Sequence, residues 1–164
     1  MRSALRVVGG TLLAGVIGAF GVVAPGQGAP VAQFSIVAAQ TPANGENNFN
    51  GTSKGKLAIT VPVGATVQIN FKNQGALPHS LQIIPSTSPL PATALSAPAF
   101  PGAEVPNPQA GITKGKTVNV QFTATKAGKY LMICGFPGHA LLGMYATFEV
   151  APSPTAKPTM TVSK

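Results

Sequence analysis

The sequence has no tryptophan, no aspartate, a single cysteine and two histidines. Glu46, Glu104 and Glu149 are its only side-chain carboxylates. Each shortage removes a class of function. One cysteine excludes an intramolecular disulfide, so cysteine usage does not report the redox compartment. A cysteine–histidine hydrolase needs a third group to orient its base, yet no carboxylate follows Cys134 and His139 before Glu149. Charged residues make up 9% of the chain, against about 25% in an average globular protein. The formal charge of +8 falls to +4 when Arg2, Arg6, Lys157 and Lys164, near the two ends, are set aside. The seven remaining lysines are scattered, with no cluster that would track phosphates, and this argues against nucleic-acid binding.

The shortage of carboxylates has a second implication. Acid unfolding works largely by protonating carboxylates that are ionised and paired in the native state. A chain with three such groups has little to lose at low pH, which implies acid tolerance. Compositional drift accounts for the same shortage without any such tolerance.

What is present divides the chain into four parts. Arg2 and Arg6 precede Val7–Val23, seventeen residues without charge. A basic stretch followed by an apolar run is the pattern of an export signal, and at this length an uncleaved membrane anchor is the alternative. Pro25 and Pro30 disfavour cleavage after Ala24 or Ala29, leaving Gly28 or Ala39 as weak sites. Residues 1–28 are therefore expected to be a signal peptide or anchor, with membrane association through residues 7–23. Residues 29–46 are expected to hold a linker and a first strand region. Residues 47–150 form the candidate domain, which begins as early as residue 33 if that strand belongs to it. The tail, residues 151–164 ("APSPTAKPTMTVSK"), is rich in proline and reads as flexible.

Within the domain the apolar residues recur every second position. Val67, Ile69 and Phe71 alternate with Gln68, Asn70 and Lys72, and Val118, Val120 and Phe122 alternate with Asn119 and Gln121. Both are half-buried strands. Gln33–Val37, Leu57–Val61, Ser80–Ile84, Lys129–Ile133 and Met144–Val150 are further strand candidates, separated by Gly, Pro and Asn turns. No stretch offers an amphipathic helix. Seven short strands of this kind predict an all-β fold, a Greek-key antiparallel β-sandwich. Pro85–Lys116, over thirty residues with seven prolines, interrupts the pattern. It reads either as an excursion shielding one end of the sandwich or as a tolerated surface insertion.

The chemistry concentrates in "CGFPGHALLGM", where Cys134, His139 and Met144 are spaced five residues apart. Taken singly, a buried cysteine or methionine is ordinary core packing. Taken together with His79, at the opening of a strand, they use every cysteine and histidine in the chain. If the sandwich closes so that loops at one end meet, the four converge. A thiolate and a thioether suit Cu(I), imidazole suits both copper valences, and a His₂Cys set with a weak axial Met is the blue-copper arrangement. Gly135, Pro137 and Gly138 permit the tight turn such a site requires.

The same segments carry a family resemblance. "YLMICGFPGHALLGMYATFEV" resembles the C-terminal ligand loop of cupredoxins, and its spacing is similar to that of rusticyanin and sulfocyanin. "NFNGTSKGKLAITVPVGATVQINF" resembles a sulfocyanin segment, and "LPHSLQI" the strand that bears the first ligand histidine. The resemblance implies one copper ion (Cu(I)/Cu(II)) held by His79, Cys134, His139 and Met144, with Ser80 tying the two ligand loops together. It implies a monomeric one-electron carrier outside the cytoplasm, periplasmic, secreted or anchored, docking briefly with redox protein partners. The electron would leave through an exposed edge of His139 among Phe136, Pro137, Ala140, Leu141 and Leu142. A copper carrier or buffer that delivers metal is the alternative, since it would use the same ligands. Enzyme activity is not expected: multicopper oxidases and nitrite reductases need further histidines, and a binuclear centre needs a second cysteine in this loop.

Overall fold

The structure, a computed structural model, describes residues 29–163. The expected signal or anchor at residues 1–28 lies outside them. Among the described residues no helix is long and apolar enough to cross a membrane.

Among the described residues eight strands form two packed sheets: β1 (Val31–Ala38), β2 (Leu57–Pro62), β3 (Thr66–Asn73), β4 (Gln82–Pro85), β5 (Thr117–Thr123), β6 (Gly128–Ile133), β7 (Tyr145–Ala151) and β8 (Thr159–Val162). The smaller sheet has the order β1-β3-β5 and the larger the order β4-β6-β7-β2-β8. A short 3₁₀ turn, Ala43–Glu46, follows β1. The sandwich is all-β as expected, but it is mixed rather than purely antiparallel. β1 runs parallel to β3 and β2 runs parallel to β7, while the remaining ladders are antiparallel. Both parallel pairs join strands distant in the chain, so no hairpin turn dictates their direction.

The two-residue alternation of β3 and β5 is realised as burial. Val67, Ile69, Phe71, Val120 and Phe122 enter the core, while Asn70, Asn119 and Gln121 face solvent. β6 behaves differently because both its faces are covered. Met132 and Cys134 point between the sheets, and Leu131 and Ile133 join Ile84 and Ala140 in a second cluster on the outer side. Cys134 thus faces inward by the same alternation that buries Met132.

The tail does not behave as a free segment throughout. Thr159–Val162 pairs antiparallel with β2 as an edge strand, although all four side chains are exposed. Backbone pairing and a contact of Asn50 Nδ2 with Met160 Sδ at 3.8 Å hold it, so no apolar pattern announces it.

The long stretch between β4 and β5 folds back over the end of the sandwich. Phe100, Ala103 and Val105 are buried in the main core. The Phe100 ring stacks on Phe122 at 5.6 Å and meets Tyr130 at 4.8 Å. The carbonyl groups of Ile83 and Leu81 accept from Ala99 and Val105, and Ile83 N–H donates to Ala103, all at 2.7–3.0 Å. A tolerated surface insertion would not place an aromatic side chain in the core. Phe100→Ala should therefore cost about 3–5 kcal/mol, as for other buried aromatic truncations. Chemical denaturation would measure it, and a loss below about 1 kcal/mol would return the segment to the status of a surface insertion.

Candidate metal centre

β6 ends by delivering Cys134, and the loop that follows closes on itself. Cys134 N–H donates to Met144 O at 3.0 Å, Met144 N–H to His139 O at 2.9 Å, and His139 N–H to Phe136 O at 3.2 Å. These three bonds fold Cys134, His139 and Met144 onto one side of a compact turn. His79 arrives from the chain between β3 and β4. Its N–H donates to Ile112 O at 3.2 Å and its carbonyl accepts from Ile112 N–H at 2.8 Å, so the long excursion holds both backbone groups. Gly111 makes that contact possible: at φ 69° it packs so closely that a Cβ would lie 2.9 Å from the His79 oxygen.

The four side chains meet. His79 Nδ1 is 3.1 Å from Met144 Sδ, 3.2 Å from His139 Nδ1 and 3.9 Å from Cys134 Sγ, and Cys134 Sγ is 3.5 Å from His139 Nδ1. All four residues are buried. Two donors bound to one metal at about 2.0–2.3 Å lie roughly 3–4 Å apart, so these separations fit a single shared ion. The donor set is two imidazoles, a thiol and a thioether, with no carboxylate among them. Such a set suits copper and disfavours magnesium or calcium.

The protonation states agree with metal ligation. Burial, reinforced by the neighbouring His139, pushes the His79 pKa from 6.5 down to about 4, against a smaller opposing pull from Glu46. Burial also lowers His139. Both rings therefore stay neutral with a lone pair to offer. His79 Nε2 has no hydrogen-bond partner, and Gly75 packs against that edge, where a Cβ would lie 2.8 Å away. Burial raises the Cys134 thiol, partly offset by hydrogen bonds from Ser80 and Phe136. The free thiol holds its proton and loses it when metal binds.

Residues 29–161 match the family model for the sulfocyanin (SoxE) domain. The chain belongs to the sulfocyanin family. It is 36% identical over 115 residues to sulfocyanin from Sulfolobus acidocaldarius, covering 66% of this chain and 58% of that protein. Auracyanin-B from Chloroflexus aurantiacus is 29% identical over 109 residues, covering 59% of this chain and 46% of that protein. The chain thus spans about half the length of the curated relatives it matches. Among solved structures, rusticyanin from Thiobacillus ferrooxidans superposes with a TM-score of 0.58 over 74% of this chain and 77% of that one, at 22% identity. At that identity the likeness concerns the fold. The chain is a cupredoxin of the blue copper type, from a family of electron carriers, and its cofactor is one copper ion.

Several residues of this sulfocyanin-family site were not legible beforehand. Ser80 was, through the resemblance: its Oγ accepts from Gly135 N–H at 2.8 Å, and its N–H donates to Cys134 Sγ at 3.3 Å. Asn73 was not. Its Nδ2 donates to Leu77 O and Ile112 O at 2.9 and 2.8 Å, and its Oδ1 accepts from Gly75 N–H at 2.8 Å, fixing both sides of the His79 loop. Gln82 is buried and joins the excursion to β4 through Leu95 and Glu104. A glutamine inside the apolar run "SLQII" was its only signal. His139 is 4% exposed rather than open along an edge. Phe136 packs on its ring at 4.7 Å, and Ala140 is buried in the outer cluster instead of lining a surface.

Two outcomes follow. Ser80→Ala leaves the buried Gly135 N–H without its acceptor and should cost about 1–3 kcal/mol in denaturation of the copper-loaded protein. In the metal-free protein, His79 is depressed in the fold, so the unfolded chain binds the extra proton. Its contribution to stability is complete above pH 6.5 and is lost as pH falls toward about 4. Copper on the imidazole competes with that proton, so denaturation midpoints of the loaded protein should hold to lower pH.

Proposed function

We propose that His79, Cys134, His139 and Met144 hold a single copper ion and that the protein carries one electron at a time between redox proteins outside the cytoplasm. The observation that carries this reading is the contact of all four soft donors at 3.1–3.9 Å in a buried pocket. Copper supplies the one-electron couple. The chain's own residues do the rest. The two imidazoles and the thiol form the strong donor set, and the Met144 thioether supplies the weak fourth contact that tunes the potential. Two loops locked by backbone hydrogen bonds keep the donors from following a change of valence, so little rearrangement accompanies electron transfer. The core around Cys134 and Met144 excludes water.

His139 is the route outward, because the exposed Pro137, Leu141 and Leu142 lie on its own loop. A small apolar surface of this kind suits brief redox encounters. The burial of every donor opposes the metal-delivery reading, which needs an exchangeable ion. The leader pattern of residues 2–23 supports a place outside the cytoplasm, whether secreted or anchored.

Absorption spectroscopy and potentiometry of the copper-loaded protein test the assignment. Cys134→Ser should abolish the blue band. Met144→Leu should keep the band and raise the potential, because losing a donor destabilises Cu(II) more than Cu(I). A band that survives Cys134→Ser removes this thiolate from the site. A colourless protein that binds only Cu(I) and yields it to chelators supports metal delivery instead.

A further inference from the structure

The end of the sandwich that holds the four donors carries an apolar centre with a basic rim. Leu77, Leu141 and Leu142 are each more than half exposed there, the first on the His79 loop and the others on the Cys134–Met144 loop. Lys54 and Lys56 stand on the Met144 side, where Lys54 N–H donates to Gly143 O at 2.7 Å. Lys72, Lys114 and Lys116 stand on the His79 side. Lys72, next to the end of β3, pairs with Thr117, and Lys116 O accepts from Asn73 N–H, the residue that fixes the His79 loop. Four of the five lysines are exposed and Lys72 is half-buried.

Two carboxylates stand at this end against the five lysines, which leaves it net basic. Glu46 accepts from Ala76 N–H at 3.0 Å and Glu104 from Gln82 Nε2 at 2.7 Å. The far end differs: Lys129 lies opposite Glu149 across the β6–β7 ladder, and Lys126 sits in the turn before β6.

We propose that this face docks a redox protein whose own docking face is acidic, with the lysines steering the encounter and the leucines seating it. The proposal rests on the carrier reading above. A protein fits better than an anionic lipid surface, because the basic rim surrounds the face nearest His139 and a lipid takes no electron. Steering of this kind raises the association rate and fades with salt.

The test uses the copper-loaded chain and two soluble c-type cytochromes as probes, one of net negative and one of net positive charge. The second-order electron-transfer rate with the acidic cytochrome should fall about tenfold between low and high ionic strength, and the basic cytochrome should react more slowly. K54E/K114E should remove most of the low-salt advantage. K126E/K129E, with the same change in charge, should stay within about twofold of the parent. The metal-free chain should bind the acidic cytochrome too, and more weakly as K54E/K114E.

Equal losses in the two double variants would overturn the proposal, since net charge and not this face would then govern the rate. A rate independent of salt would overturn it as well. So would lysine-dependent binding to phosphatidylglycerol vesicles with cytochrome rates unchanged, which would assign the face to a lipid surface. Uncharged hydroquinone should reduce every variant equally. A parent protein that hydroquinone cannot reduce overturns the carrier reading itself, and this proposal with it.

Discussion

His79 Nδ1 lies 3.2 Å from His139 Nδ1 and 3.1 Å from Met144 Sδ, out of reach of water. Without a metal this is a crowded arrangement, because several polar donor atoms are buried together with no cation to share them. Burial lowers both imidazole pKa values, and the neighbouring His139 adds to the effect on His79. The donors stay together because their backbones are fixed independently of their side chains. The metal therefore finds its ligands in place, and the cost of gathering them is met by folding.

Three parts of the chain meet that cost, and none contains a ligand apart from the loops themselves. The excursion between β4 and β5 grips His79 through Ile112, and it holds the Cys134 loop through Ala94 N–H to Gly135 O at 2.9 Å and Gly138 N–H to Ala92 O at 2.7 Å. The turn after β1 approaches from the opposite side, where Asn44 Nδ2 donates to Leu142 O at 2.8 Å. The "FNGTS" segment anchors that turn. Phe49 is buried, Asn48 Nδ2 donates to Thr41 O and Ala43 O, and Asn50 exchanges hydrogen bonds with Val37 at 2.7 and 2.8 Å. Asn50 belongs formally to a glycosylation sequon, but its amide is spent on β1, which is what turn chemistry predicts for such a residue.

How much of this the sequence reveals depends on the kind of contact involved. β3 and β5 are legible because each is half-buried, so burial writes itself into a two-residue period. β6 keeps no such period, since Leu131 and Ile133 are buried as well as Met132, and its inward face is known only once Cys134 is placed. The parallel pairing of β1 with β3 leaves no local mark, because direction is decided between segments more than thirty residues apart. β8 leaves none either, having no buried face. The four donors stand out for the opposite reason: in a chain with one cysteine and two histidines, their spacing has few competing explanations. Asn73 is invisible by the same logic, as an amide whose partners exist only in the folded protein, and Gln82 shows only as a polar residue within an apolar run.

The scarcity of charge then acts on stability and on recognition together. The outer face of the small sheet is made polar by amides rather than ions, with Gln33 donating to Gln68, Gln68 to Gln121 and Asn70 to Asn119. An amide ladder neither gains nor loses charge at any pH, so this face does not weaken as acid is added. It also offers nothing to an acidic partner. The few charges the domain carries are left to stand out where they cluster, and five of its lysines cluster at the copper end. A surface with more ions would blur that contrast, since attraction to one face would compete with attraction to all the others. A polar surface built from amides thus leaves this face indifferent to pH and preserves the contrast of charge on which the proposed docking depends. In the metal-free state burial holds both His79 and His139 below their ordinary range, so these rings too stay neutral near neutrality.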